Sequence, residues 1–553
     1  MLPPTAPRRP FKRLALYLLF CLLLSFVVFV VGFYSQAIRS NRSSDRRARF
    51  SKADIARMDA YLWGSSGART RSDTFTSSPP VVPVYSSGGT AIVNSEPYDL
   101  TFYESYGVNP FIDTEDDHLS TFATDVDTAS YTVMRRYLSD GYLPHKDSVR
   151  VEEYVNYFQH DYAPPTDPRL AFAIHLQGAP SPFGNERHYL LRVGLQGYRV
   201  PDDQRKDAAL VFVIDISGSM ASENRLGLVK RALRLLVREL RPTDSVGIVV
   251  YGERGRVLLE PTPASERDHI LDAIERLAPG GSTNAEEGLV LGYEMASSHY
   301  VPGAINRVIL CSDGVANVGH TGPESILEQI RVYAEQDITL STVGFGMGNY
   351  NDVLMERLAD DGNGNYAYVD TLAQAQRVFV QNLSSMLQVI AQDTKVQVDF
   401  NPEVVSRYRL LGYENRAVAD EDFRDDEVDA GEVGAGHSVT ALYELKFHPE
   451  AQGRALTVFV RYQDPDTEQV IELLQGFERS DFVDLAETTP RFRLDAAVAE
   501  FAEILRHSYW ADDESLKGVL ELTRDVAQEL PGDPDVDEFV RLVVRADKLW
   551  AEK

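Results

Sequence analysis

Three kinds of hydrophobic pattern follow one another along this chain. The first is continuous. Leu14 to Phe33 carries no charged residue, and a run of about 20 apolar residues is the length that spans a bilayer. Arg8, Arg9, Lys12 and Arg13 precede it, and Arg39, Arg42, Arg46, Arg47 and Arg49 follow it. We read residues 1–13 as a basic N-terminus and 14–34 as a transmembrane anchor, with a signal cleaved near Ser35-Gln36-Ala37 as the alternative. Either places the bulk of the chain outside the cytoplasm, in a periplasm or at a cell surface. Residues 35–96 then lose the apolar pattern. Stretches such as Thr76-Ser-Ser-Pro-Pro80 and Ser86-Ser-Gly-Gly-Thr90 mark a flexible linker.

The second pattern alternates short apolar runs with helical periodicity over residues 207–390. Ala209–Asp215, Ser245–Tyr251, Arg307–Cys311, Ile338–Phe345 and Asn365–Val369 read as buried strands. Between the first two, Leu226, Val229, Leu233, Leu236, Val237 and Leu240 recur at helical spacing. Strand–helix alternation implies a doubly wound, Rossmann-like α/β sheet with right-handed crossovers.

The third pattern has period two. Val396–Phe400, Tyr408–Gly412, Ser438–Leu445 and Ala455–Tyr462 alternate apolar and polar residues, as strands of an antiparallel sandwich do. Apolar faces at Phe492, Leu494, Val498, Phe501 and Leu505, and at Phe539, Leu542, Val543 and Leu549, predict terminal helices. Residues 391–553 are thus a β-sandwich plus helical domain, and 97–206 a small preceding α+β domain. In the latter, Asp125 and Asp127 are expected to cap a helix beginning near Ala129.

Composition narrows the function. The chain has 553 residues and a formal charge of -28, which argues against nucleic acid as a partner. Its 2 cysteines, Cys21 and Cys311, supply no disulfide framework. There is no His-Glu-x-x-His, no Gly-x-Ser-x-Gly and no P-loop, so a metal-assisted hydrolase is the weaker reading and we expect no enzyme.

Candidate chemistry gathers at strand ends. The run Leu210–Ile214 stops on Asp215, followed by Ser217 and Ser219. A later strand, Val308-Ile-Leu-Cys-Ser-Asp313, also stops on an aspartate, and Gly280-Gly-Ser-Thr283-Asn284 precedes another helix. Carboxyl ends of parallel strands form the ligand edge of such sheets, and hard oxygen donors suit Mg²⁺, Ca²⁺ or Mn²⁺. In this pattern the chain resembles the von Willebrand factor type A (VWA) family, whose metal-ion-dependent adhesion site reads Asp-x-Ser-x-Ser, then Thr, then Asp. The matching positions are Asp215, Ser217, Ser219, Thr283 and Asp313. The resemblance implies that the serines, and in one state the threonine, touch Mg²⁺ (or Ca²⁺/Mn²⁺). The aspartates then act through water and hydrogen bonds, and an acidic residue of a partner protein takes the last position. Phe122–Tyr131, Gly344–Asp352, Asp361–Tyr368 and the C-terminal segment further resemble the bacterial YfbK-like group, across roughly residues 96–551. Because the fourth strand ends on the metal side of the sheet, Asn349, Tyr350, Asn351 and Asp352 are expected to line the partner surface, with a glycine-rich turn capping a helix at Val353 as the alternative. Many bacterial VWA proteins work beside a MoxR-like ATPase, so an assembly or chaperone role is the alternative; it requires a cytoplasmic head.

Overall fold

The structure, a computed structural model, describes residues 103, 105–184, 188–201, 203–222, 225–314, 330–334, 336–346, 352–511 and 516–551. The anticipated anchor and linker, and the loop bearing Asn349, Tyr350 and Asn351, lie outside the described residues. No helix among the described residues is long and apolar enough to cross a membrane.

Before the central domain come β1 (Ile112–Asp113), β2 (Leu119–Ala123), α1 (Ala129–Asp140), α2 (Val151–Asn156), β3 (Phe172–Pro180) and β4 (Tyr189–Gly197). The central domain begins with β5 (Ala208–Asp215), α3 (Leu226–Glu239), β6 (Ser245–Tyr251), β7 (Gly255–Pro263), α4 (Arg267–Glu275) and α5 (Ala285–Ser298). It continues through β8 (Ile305–Ser312), β9 (Ile338–Phe345), α6 (Asp352–Asp360), β10 (Tyr366–Val369), α7 (Leu372–Gln376) and α8 (Leu383–Leu387). After it come β11 (Val389–Phe400), β12 (Val405–Leu411), β13 (Gly431–Gly434), β14 (Ser438–Phe447), β15 (Arg454–Gln463) and β16 (Val470–Glu478). The chain closes on α9 (Pro490–Leu505), α10 (Lys517–Glu529) and α11 (Pro534–Ala551).

The central sheet has the order β10-β9-β8-β5-β6-β7. Its pairings are parallel except for β7, which runs antiparallel to β6. β5 is covered on both faces. Leu210, Phe212 and Ile214 enter the core that α3 and α4 close, while Gly292 of α5 lies against Val213 on the other side. This is why its sequence is an unbroken apolar run rather than an alternation. β7 escapes the apolar-run reading because it is an edge strand whose residues Arg256, Val257 and Glu260 face solvent. The chain winds from β5 toward β6 on one side and returns to build β8, β9 and β10 on the other. The switch point therefore falls between β5 and β8, where a crevice opens beyond the strands' carboxyl ends.

The flanking segments are not two separate units. One antiparallel sheet runs β1-β12-β14-β4-β3 and the other β13-β11-β15-β16, with β2 also paired to β11. Each sheet mixes strands from before and after the central domain, so residues 97–206 and 391–553 build one sandwich. Phe122, Leu191 and Val193 share its core with Val398, Tyr443 and Val458. The helices repeat the arrangement: Tyr131, Met134 and Tyr154 of α1 and α2 pack with Phe492, Phe501 and Phe539 of α9 and α11. The central domain is thus inserted into a body made by the chain's two flanks. Its incoming and outgoing ends meet at one turn, where Gly436 N donates to Tyr198 O at 2.8 Å and Ala435 N to Gln388 O at 2.8 Å.

The expected caps of α1 are corrected. Thr128 occupies the cap position without a hydrogen bond from its side chain, and the first-turn amide of Ser130 donates to Glu153 Oε2 at 2.8 Å instead. Asp125 Oδ1 accepts from Asp127 N at 2.8 Å, Asp125 Oδ2 accepts from Arg416 Nε at 3.1 Å, and Asp127 Oδ1 accepts from Tyr366 N at 3.1 Å. Both carboxylates are buried, and a buried charge is satisfied by an arginine far more fully than by helix amides alone. A turn between Asp360 and Asn365 ends α6 and leads into β10. The acidic stretch 420–432 contains a 3₁₀ turn, Asp420–Arg424, and the start of β13.

Candidate metal centre

Asp215 ends β5 and Asp313 directly follows β8, the two strands that flank the switch point. Sequence and topology together bring them side by side. Asp215 is fully buried, and its Oδ1 accepts from Ser217 N at 2.7 Å. This contact folds the backbone of the motif back on its own aspartate. Asp215 Oδ2 accepts from Ser312 Oγ at 3.1 Å, and Ser312 Oγ in turn accepts from Gly314 N at 3.2 Å. Ser217 Oγ and Ser219 Oγ lie 2.9 Å apart, and Ser219 hydrogen-bonds the Asp313 carboxylate.

Thr283 is brought to the site by the loop that carries it. Its loop is stitched to the motif by Gly280 N donating to Ile216 O at 2.6 Å and Gly218 N donating to Gly281 O at 3.1 Å. Gly252, at the end of β6, permits this approach, since a Cβ there would stand 2.8 Å from Gly280 O. Asn284 caps α5 by accepting from Glu287 N at 3.3 Å, which fixes where the loop stops. All five anticipated residues therefore sit at one edge of one sheet. Four touch through side chains or a side chain and an adjacent amide; Thr283 is placed by its loop.

The electrostatics are those of a site with more carboxylates than cationic side chains. Burial, and then the charge of Asp313, push the Asp215 carboxyl up to about 7. Burial also raises Asp313, against the pull of Arg225 and the hydrogen bond from Ser219. Arg225 forms an ion pair with Asp313. Asp215 has hydroxyl and amide donors, but no Lys, Arg or His pairs with it among the described residues. A buried carboxylate without a counter-ion is costly, and a divalent cation on hard oxygens relieves it. No group of three or more His, Cys, Asp or Glu side chains arranged to hold a metal ion exists among the described residues; the donor set here is two carboxylates and hydroxyls, which suits Mg²⁺, Ca²⁺ or Mn²⁺ rather than zinc. The residues fit the group. Above them the mouth is open, because Gly218, Ser219, Gly281 and Ser282 are exposed. Arg225 and Ser312 were not anticipated from the sequence. The only local signal was an arginine at the head of an otherwise amphipathic helix.

The five-residue pattern at the strand ends of this doubly wound sheet is that of a VWA protein, and residues 209–384 match the family profile "von Willebrand factor type A domain". Residues 98–192 match the profile "von Willebrand factor", and 385–454 with 446–549 match "Uncharacterized protein YfbK, C-terminal". The chain is 37% identical over 472 residues to the protein YfbK of Escherichia coli (strain K12), spanning 80% of this chain and 81% of that one. The chain belongs to the YfbK-like family of VWA proteins. It is also 30% identical over 176 residues to inter-alpha-trypsin inhibitor heavy chain H3 of Homo sapiens, across 30% of this chain and 20% of that one. A solved structure, "von Willebrand factor type A from Catenulispora acidiphila", covers 70% of this chain and 91% of its own at 15% identity, with a TM-score of 0.41. VWA domains generally mediate protein–protein interaction, commonly bind a divalent metal at this site, and are mainly non-enzymatic modules.

Proposed function

We propose that this chain is a membrane-anchored, divalent-metal-dependent protein-binding protein. Asp215, Ser217, Ser219, Thr283 and Asp313 hold Mg²⁺ (or Ca²⁺/Mn²⁺), and an acidic residue of a partner protein completes the coordination from the open side. Residues 14–34 hold the chain at a membrane with its bulk outside the cytoplasm. The observation that carries the reading is the buried Asp215, paired with no Lys, Arg or His among the described residues, beside the adjacent hydroxyls of Ser217 and Ser219 beneath an exposed mouth. The ion supplies Lewis acidity toward a carboxylate oxygen. The protein's own part is to hold oxygens at the strand ends and to keep bulk water from the aspartates.

Titration calorimetry of the full chain in detergent with Mg²⁺, Ca²⁺ and Mn²⁺ tests this against Asp215→Ala. One ion should bind per wild-type chain. The variant should retain the wild-type circular dichroism and lose the binding, a loss of at least about tenfold in affinity. A wild-type chain that binds none of the three ions sinks the proposal.

A further inference from the structure

Arg225 sits at the head of α3, 2% exposed, inside the site rather than beside it. Its Nη1 donates to Ser219 O at 2.9 Å and pairs with Asp313 Oδ2. The third strand end closes over it. Gly346, just past β9, has φ +84°, and a Cβ there would stand 2.5 Å from Arg225 Nε. One guanidinium thus fastens the motif turn and the end of β8, and the end of β9 lies against it. Such a group is a fixed positive charge on a planar fork.

Charge counting then has a consequence. With both carboxyls ionised, as metal binding requires, Asp215 and Asp313 bring two negative charges and Arg225 one positive, a net −1 before the ion is counted. A divalent ion turns this to +1, and one carboxylate returns it to zero. Without Arg225 the same ion would already neutralise the site, and an incoming carboxylate would leave it negative. Buried charge is tolerated only when compensated. We propose that Arg225 is the charge-setting and positioning residue of this centre, leaving the metal-loaded site one positive charge in surplus so that it selects a single carboxylate over a neutral ligand. The inference rests on the metal-binding reading above. It adds the residue, outside the five-residue pattern, that sets the preference for an acidic partner.

The test uses the full chain in detergent, Mn²⁺ followed by electron paramagnetic resonance and calorimetry, and acetate or acetamide as the probe at constant ionic strength. In the wild type, saturating acetate should raise Mn²⁺ affinity on the order of tenfold, and acetamide should leave it unchanged. Arg225→Gln keeps a donor for Ser219 O but removes the charge. It should bind Mn²⁺ at least as tightly as the wild type and lose the acetate effect, whereas Arg225→Lys should keep it. An undiminished acetate effect in Arg225→Gln overturns the inference while leaving the metal site standing. Should Arg225→Gln not fold, a folded Arg225→Lys that lacks the effect, or a wild type that responds equally to acetamide, overturns it. A wild type that binds no Mn²⁺ overturns the proposed function and this inference together.

Discussion

Glu152, in α2, is a carboxylate with a cost. It is 2% exposed, and its Oε2 accepts from Tyr413 N at 3.0 Å. Burial, then the charges of Glu414 and Asp125, push it up to about 7. A carboxyl raised in the folded state binds more protons there than in the unfolded chain between about pH 4 and pH 7. Its contribution to stability is therefore lost as pH rises through that window. Glu152→Gln retains an acceptor for Tyr413 N but cannot ionise. Denaturant titrations at pH 5 and pH 8 should show the variant gaining on the wild type by on the order of 2–3 kcal/mol at the higher pH; parallel pH profiles would refute the assignment. Legibility at this scale followed locality. Asp215, Ser217 and Ser219 occupy one turn, so a short pattern identified them, and Asp313 was marked by a second apolar run ending on an aspartate. Asp125 and Asp127 were misread because their partner, Arg416, lies almost three hundred positions away along the chain.

Strands and helices carried their own signals where their environment was uniform. β5, β6 and β9 matched their apolar runs to within a residue, since burial on both faces demands apolar side chains throughout. β7 left no such run, because an edge strand tolerates charge. Pairing is the information that no run contains. β11 lies between β2 and β15 over its main length, in register from Lys395↔Ala123 and Lys395↔Arg461. β14 lies between β12 and β4, with Leu445↔Tyr189 and Ser438↔Gln196. Residues 391–553 by themselves would therefore present two central strands, β11 and β14, with one edge each left largely unpaired and with Phe122, Leu191 and Val193 missing from the sandwich core. Expressed alone, this segment should aggregate or give collapsed amide dispersion in NMR, and adding residues 97–206 in the same chain should restore it. Native dispersion from 391–553 alone would show that the shared sheets are dispensable.

Across the whole molecule, ion pairs fasten the inserted domain to the body that holds it. Arg135 of α1 pairs with Asp370 at the end of β10, Arg150 reaches Glu356 of α6 at 2.7 Å, and Arg377 reaches Asp535 of α11 at 2.7 Å. Removing one member of so buried a pair costs more than the pair contributes, so these contacts specify how the domain is seated. The formal charge of -28 lies on a chain whose basic residues before 50 flank the apolar run. That arrangement motivates the proposed location. Alkaline phosphatase, which folds to its active form only outside the cytoplasm, should be active when fused after Lys553; an inactive but full-length fusion would place the head in the cytoplasm and favour the ATPase-linked alternative. Residue order alone determined which uniformly buried segments of the central domain are strands, where their ends carry oxygen donors, and the five residues of the metal pattern. Each of these is a local property, written in the burial of successive side chains. Only the tertiary structure decided that the two flanks form one sandwich, that Asp125 answers to Arg416, and that Arg225 lies against Asp313. Those outcomes depend on which distant surface supplies a missing backbone edge or counter-charge, and separation along the chain carries no record of that choice.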